Sequence, residues 1–209
     1  MKIFHPFLLL SLISVFIQAA FQYLLISDQL YFNALSEQLA YERIEELISQ
    51  GKRWQWVGYA AVPVIYLIKF TLIAACLSIG HYLFTDRYIF RTFFEAVVMA
   101  ELIFLVPMIL KLLYFLFVHP DYTLNELGQF YPLSLLSVLN ASAIEPYWLY
   151  PLQVLNLFEV AYWFLLAYNI REVLEKPFAE AFRLVAASYG SGLLLWVVLM
   201  VFLTVTWMN

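Results

Sequence analysis

Lys69, Glu101 and Glu159 are the side chains on which chemistry would rest. Each is ionisable and each stands inside a long apolar run, where charge is costly unless it is paired or faces a polar cavity. Lys69 falls in the run 57–84, Glu101 in 93–118 together with Lys111, and Glu159 in 147–170, flanked by Gln153 and Asn156. Counted inward from residues 57 and 147, Lys69 and Glu159 are each 12 residues deep, about 18 Å at ~1.5 Å per residue. This match in depth predicts that the two meet. Such a pair has two uses: it can satisfy itself and orient the helices, or line a cavity for a proton or an anionic solute. Glu95 and Lys111 lie nearer the ends of their run and can reach toward water.

Other chemistries find little support in the residue pattern. Among the three histidines, no two have the i, i+4 spacing with which a helix holds a catalytic zinc ion. His119, Asp121 and Glu126 share one connection and could approach a divalent ion, but a loop histidine is the plainer reading, and no metal or cofactor is expected. Glycine-rich phosphate loops, nucleophile elbows and haem-attachment motifs are absent from the sequence. The chain therefore reads as a non-enzyme. Its single cysteine, Cys76, lies in an apolar run and cannot close an internal disulfide.

The elements that must position these residues follow from composition. Of 209 residues, 65% are hydrophobic and 12% charged, with mean hydropathy +0.83; soluble domains are roughly 45–50% apolar and about 25% charged. The class is an integral membrane protein whose surroundings are the lipid bilayer. A net charge of -4 lacks the basic footprint of a nucleic-acid surface. Five runs reach the ~20 residues that a spanning helix needs: 7–27, 57–84, 93–118, 147–170 and 184–207. All are too long and continuous for barrel strands. The expected fold is an all-α polytopic bundle forming one domain over 1–209. The first run, behind Lys2, reads as a retained anchor, because Gln18-Ala19-Ala20 is a poor cleavage site.

Lys2, Arg87, Arg91, Arg171, Lys176 and Arg183 collect on one side of this arrangement, against Arg43, Lys52 and Arg53 on the other. The imbalance predicts the N-terminus inside and the C-terminus outside. In the first outer connection, Leu30, Ala34, Tyr41, Ile44 and Ile48 alternate with Glu42, Glu45 and Glu46 at helical spacing before Gly51. This pattern predicts an amphipathic helix ending at the glycine and packed on the protein. The third connection holds a capping-box spacing, Thr123 to Glu126, and then an uncharged run, 133–144, too short to span and expected as an interfacial or re-entrant helix. At the start of the last span, Ala186 with Gly190 and Ser188 with Gly192 stand four apart, a small-residue surface for close helix packing within the bundle or with a partner.

The stretches Tyr131-Pro-Leu-Ser-Leu-Leu-Ser137, Tyr150-Pro-Leu-Gln-Val-Leu-Asn-Leu-Phe-Glu159 and Ala167-Tyr-Asn169, set on this order of spans, resemble the Yip1-domain family of small five-span membrane proteins over about 57–207. The Asp-Leu-Tyr-Gly-Pro motif of eukaryotic members is not among them. The resemblance implies a non-enzymatic scaffold or accessory subunit, working through helix association with a membrane-protein partner or a second copy. Short loops point to a prokaryotic plasma membrane. The competing expectation is a small transporter or permease component that uses Lys69, Glu159 and Glu101 at the midplane.

Overall fold

The computed structural model describes residues 4–85, 87–139 and 143–208, which excludes Lys2. Among these residues the regular structure is helical, apart from one isolated antiparallel bridge between Ser134 and Asn156. The helices are α1 (Phe4–Leu25), α2 (Asp28–Leu35), α3 (Tyr41–Thr85), α4 (Phe90–Ala100), α5 (Leu105–Leu113), α6 (Leu124–Gln129), α7 (Pro146–Val154), α8 (Leu157–Leu174), α9 (Phe178–Val185) and α10 (Ser191–Met208). Four stretches are long and apolar enough to cross a bilayer: Phe4–Leu25, Tyr41–Thr85, Phe90–Val118 and Phe178–Trp207. Helices dominate because hydrocarbon offers backbone N–H and C=O groups no partner except their own chain.

The first departure from expectation is α3, which runs unbroken for 45 residues, about 68 Å at ~1.5 Å per residue. The expected amphipathic helix is divided: Leu30 and Ala34 lie on α2, and Tyr41, Ile44 and Ile48 on the beginning of α3. Gly51 does not end it: no glycine takes a positive φ, and the residues that follow, Lys52 to Trp56, are compatible with helix. Ile44 is buried while Glu42, Glu45 and Glu46 are exposed. Helix α2 lies alongside, with Phe32 stacked on Tyr41 at 4.7 Å and Lys52 Nζ donating to Asp28 at 2.8 Å.

The run 93–118 is helical but composite. Pro107 has no N–H to return to Ile103, and just ahead of it the backbone tightens into a 3-10 turn, Glu101–Phe104. The stretch ends in a π-turn, Tyr114–Val118. Another π-turn, Ala186–Gly190, joins α9 to α10.

The expected span 147–170 is not one helix. α7 stops at Val154, Leu155 and Asn156 leave helical geometry, and α8 starts at Leu157. Asn156 drives the restart. Its side-chain oxygen accepts from Glu159 N at 2.8 Å, while its Nδ2 donates to the carbonyls of Gln153 at 2.8 Å and Val154 at 3.0 Å. One side chain thus caps the new helix and satisfies the loose end of the old one. Within 133–144, the expected interfacial helix is broken up: Leu136–Val138 forms a 3-10 turn, residues 140–142 lie outside the described residues, and Ala143 is again in 3-10 geometry. The segment instead pairs with the break: Leu135 N donates to Leu155 O at 2.9 Å and Leu157 N to Leu133 O at 3.2 Å. A long-range backbone partner has overridden a local apolar pattern.

The core joins Phe70, Ala74 and Leu77 of α3, Phe93 and Val97 of α4, and Tyr162, Leu166 and Ile170 of α8. Asn169 on α8 donates to Ala96 O at 3.2 Å, and Tyr66 on α3 donates to Ser14 on α1 at 2.8 Å. α8 is followed by Glu175 in the left-handed region, φ 51. The chain then folds back along it as α9, whose Ala181 and Val185 are buried.

The capping box at α6 is present in full. Thr123 N and Oγ1 donate to Glu126 Oε2 at 2.8 and 2.9 Å. These bonds, the backbone one foremost, hold the Glu126 carboxyl below its ordinary pKa. A depressed carboxylate contributes stability that is complete above its unfolded value and lost as pH falls through the folded one. Thr123→Val is expected to raise the Glu126 midpoint in a carbon-13 carboxyl titration, so that the lower end of the acid-sensitive window moves up toward the unfolded value near pH ~4.3 and less stability is lost across it. An unmoved midpoint would assign the effect to the backbone N–H alone.

Candidate functional site

Glu101 owes its place to the 3-10 turn and is only 2% exposed. The ammonium of Lys69 donates to Glu101 Oε1 and sits 4.7 Å from the centre of the Phe104 ring. Lys69 therefore meets Glu101, and the expected ion pair between Lys69 and Glu159 does not form. Depth along a helix sets height but not the direction a side chain faces, and two groups at one height can point to different neighbours. Glu101 Oε2 and Tyr162 Oη are both buried and make no hydrogen bond among the described residues.

Glu159 occupies the first turn of α8, where the positive end of the helix favours negative charge. Its Oε1 accepts from Tyr189 Oη at 2.6 Å and from Trp163 Nε1 at 3.0 Å. Both donors are neutral, and among the described residues no cation forms a salt bridge with Glu159. Two carboxylates thus share this part of the bundle with one ammonium. Between them lie Tyr162 and Tyr189, edge to face at 5.4 Å.

Glu159 lines a recess of about 660 Å³ formed where the segment 133–138 meets the break at 154–157, with Trp163, Phe182 and Leu193 also in its lining. Leu133 enters it with φ 56, a left-handed conformation that costs a bulky residue about 1 kcal/mol or more. The backbone bonds across the break hold it there. Glu159 stands out along the sequence, whereas this recess does not. The signal was present: Tyr131-Pro-Leu-Ser-Leu-Leu-Ser137 recurs as Tyr150-Pro-Leu-Gln-Val-Leu-Asn156, and the bridge joins the two copies at Ser134 and Asn156.

The small residues of the last span are packed inside the chain. A Cβ on Gly80 would stand 2.6 Å from Ser188 Cβ, one on Gly190 2.8 Å from Trp163 Cη2, and one on Gly192 3.1 Å from Cys76 Sγ. α3 and α8 already occupy this surface around Ser188, Gly190 and Gly192, with Ala186 half-buried beside it. His119, Asp121 and Glu126 do not form a metal site: no cluster of three such ligands exists among the described residues, and His119 Nε2 stands 3.9 Å from Glu126.

The arrangement belongs to a helical multi-pass membrane protein with a broken helix beside a half-buried carboxyl group. No protein-family model matches this chain, and no curated protein or solved structure matches it.

Proposed function

We propose that this chain is a small transporter or permease component whose site is the recess at the break between α7 and α8. In this reading α7 and α8 are the halves of a fifth, interrupted crossing, with the N-terminus inside and the C-terminus outside a prokaryotic plasma membrane. The observation that carries it is the break itself: backbone that leaves the helix at membrane depth is tolerated where it is buried in protein or lines a cavity, and here it opens one beside Glu159. Half-helix ends facing a solute are how secondary transporters bind at the midplane. The Lys69 to Glu101 pair is then a structural brace, and Glu159 is the exchanging group. The Yip1-like scaffold reading ranks second, because the small residues that motivated it face Gly80, Cys76 and Trp163 of the same chain.

A transport site must be reached from each side in turn, whereas a scaffold's core need not be. On a Cys76→Ala background, Val160→Cys places the sole thiol on the recess wall. The expected result is labelling by a membrane-impermeant methanethiosulfonate from both faces of oriented vesicles. Labelling from one face only, or from neither, rejects transport.

A further inference from the structure

We propose that the recess binds a lipophilic monocation, an alkylammonium amphiphile whose head group rests on Glu159 and whose chain lies along Leu133, Leu155 and Val160. This deepens the transport reading by naming a substrate class, and it rests on that reading only for what happens after binding.

Charge decides the sign. The ammonium of Lys69 is committed to Glu101, and Glu159 is held by two neutral donors, so its negative charge lacks an ionic partner among the described residues. A carboxylate in an apolar recess repels an anion and attracts a cation. Of the two solutes expected from the sequence, a proton or an anion, this disfavours the anion.

The walls decide the kind of cation. Beside Glu159 the recess presents Trp163, Phe164 and Phe182, with leucine and valine elsewhere, and its polar side chains besides Glu159 are Ser134, Ser137 and Asn156. Aromatic faces stabilise a weakly hydrated quaternary ammonium through their quadrupole. A metal ion would need several oxygen ligands, which this lining does not converge on it. A volume of about 660 Å³ suits a drug-sized molecule, since ligand pockets run ~300–1,000 Å³. Leu133, Leu155, Leu157 and Val160 are exposed, so an amphiphile can enter sideways from the acyl chains without crossing water.

The test uses the full chain in phosphatidylcholine nanodiscs and octyltrimethylammonium as probe, measured by equilibrium dialysis against empty nanodiscs. Saturable binding is expected, weakened at least tenfold by Glu159→Gln, whose amide oxygen still accepts from Tyr189 and Trp163. Octanol, the uncharged counterpart, should bind both forms within twofold of each other. Val160→Trp fills the recess without touching the carboxylate and is expected to abolish probe binding. Non-saturable binding to wild type overturns the proposal, as does unchanged affinity in Glu159→Gln or, should that variant not fold, in Val160→Trp. The two readings fail separately: ammonium binding with one-sided thiol labelling rejects transport and keeps the site, whereas two-sided labelling without ammonium binding does the reverse.

Discussion

Lys69→Met is expected to lower the unfolding free energy by about 3 kcal/mol or more, and adding Glu101→Gln to recover most of the loss. Removing the lysine leaves a carboxylate that is 2% exposed with no counter-charge, and breaking a buried pair from one side costs the solvation of the charge left behind. Glu101→Gln alone should be milder, because the Lys69 side chain is 42% exposed and its long stem can carry the ammonium toward a polar boundary. The double variant replaces the pair with uncharged groups of similar shape. Denaturant unfolding in detergent gives the three differences and hence the coupling. Adding Glu159→Gln to Lys69→Met should recover nothing comparable, since Glu159 takes its hydrogen bonds from Tyr189 and Trp163. Equal recovery by the two second substitutions would place Lys69 between both carboxylates and remove the distinction between brace and exchanging site.

The second large effect lies where α3 crosses the π-turn before α10. Gly80→Ala is expected to destabilise by about 2 kcal/mol, within the range for overpacked sites, even though alanine is the better helix former by ~1 kcal/mol. The new Cβ would meet Ser188 Cβ at 2.6 Å, far inside the ~3.5–4.0 Å at which carbon atoms attract. Neither atom can rotate away, because both are attached directly to the backbone. Ser188→Gly in the Gly80→Ala chain removes the opposing atom and should restore the midpoint. Gly51→Ala is the control: nothing lies within 4 Å of its added Cβ, so only the gain in helix propensity remains. In lipid, helix association rests on close packing instead of apolar transfer, which is why one methyl at this crossing outweighs many apolar contacts on the outer surface. A Gly80→Ala chain as stable as wild type would mean that α3 and the π-turn part easily.

Some of these features were legible along the chain because they are local. The Thr123 to Glu126 cap depends on four consecutive residues, and its hydrogen bonds appear as the spacing predicts. Small residues four apart in the last span mark a close crossing whatever the partner, and the partner proves to be the same chain. Other features needed neighbours distant in sequence. Gly51 reads as a stop by itself, yet α3 continues through it. The run 133–144 reads as a short helix, but the broken end of α7 offers backbone partners to Leu133 and Leu135, and Leu133 is held in the left-handed region.

Composition and hydropathy by themselves determined that this is an α-helical chain for a bilayer, because hydrocarbon leaves backbone groups no other economical partner. They also singled out Lys69, Glu101 and Glu159 as charges needing an explanation. Only the tertiary structure decided how each charge is met. Hydropathy measures how deep a residue lies, whereas pairing depends on which way it faces and on where a helix breaks, and both are set by contacts between residues tens of positions apart. That is why Lys69 went to Glu101, and why Glu159 was left beside a recess.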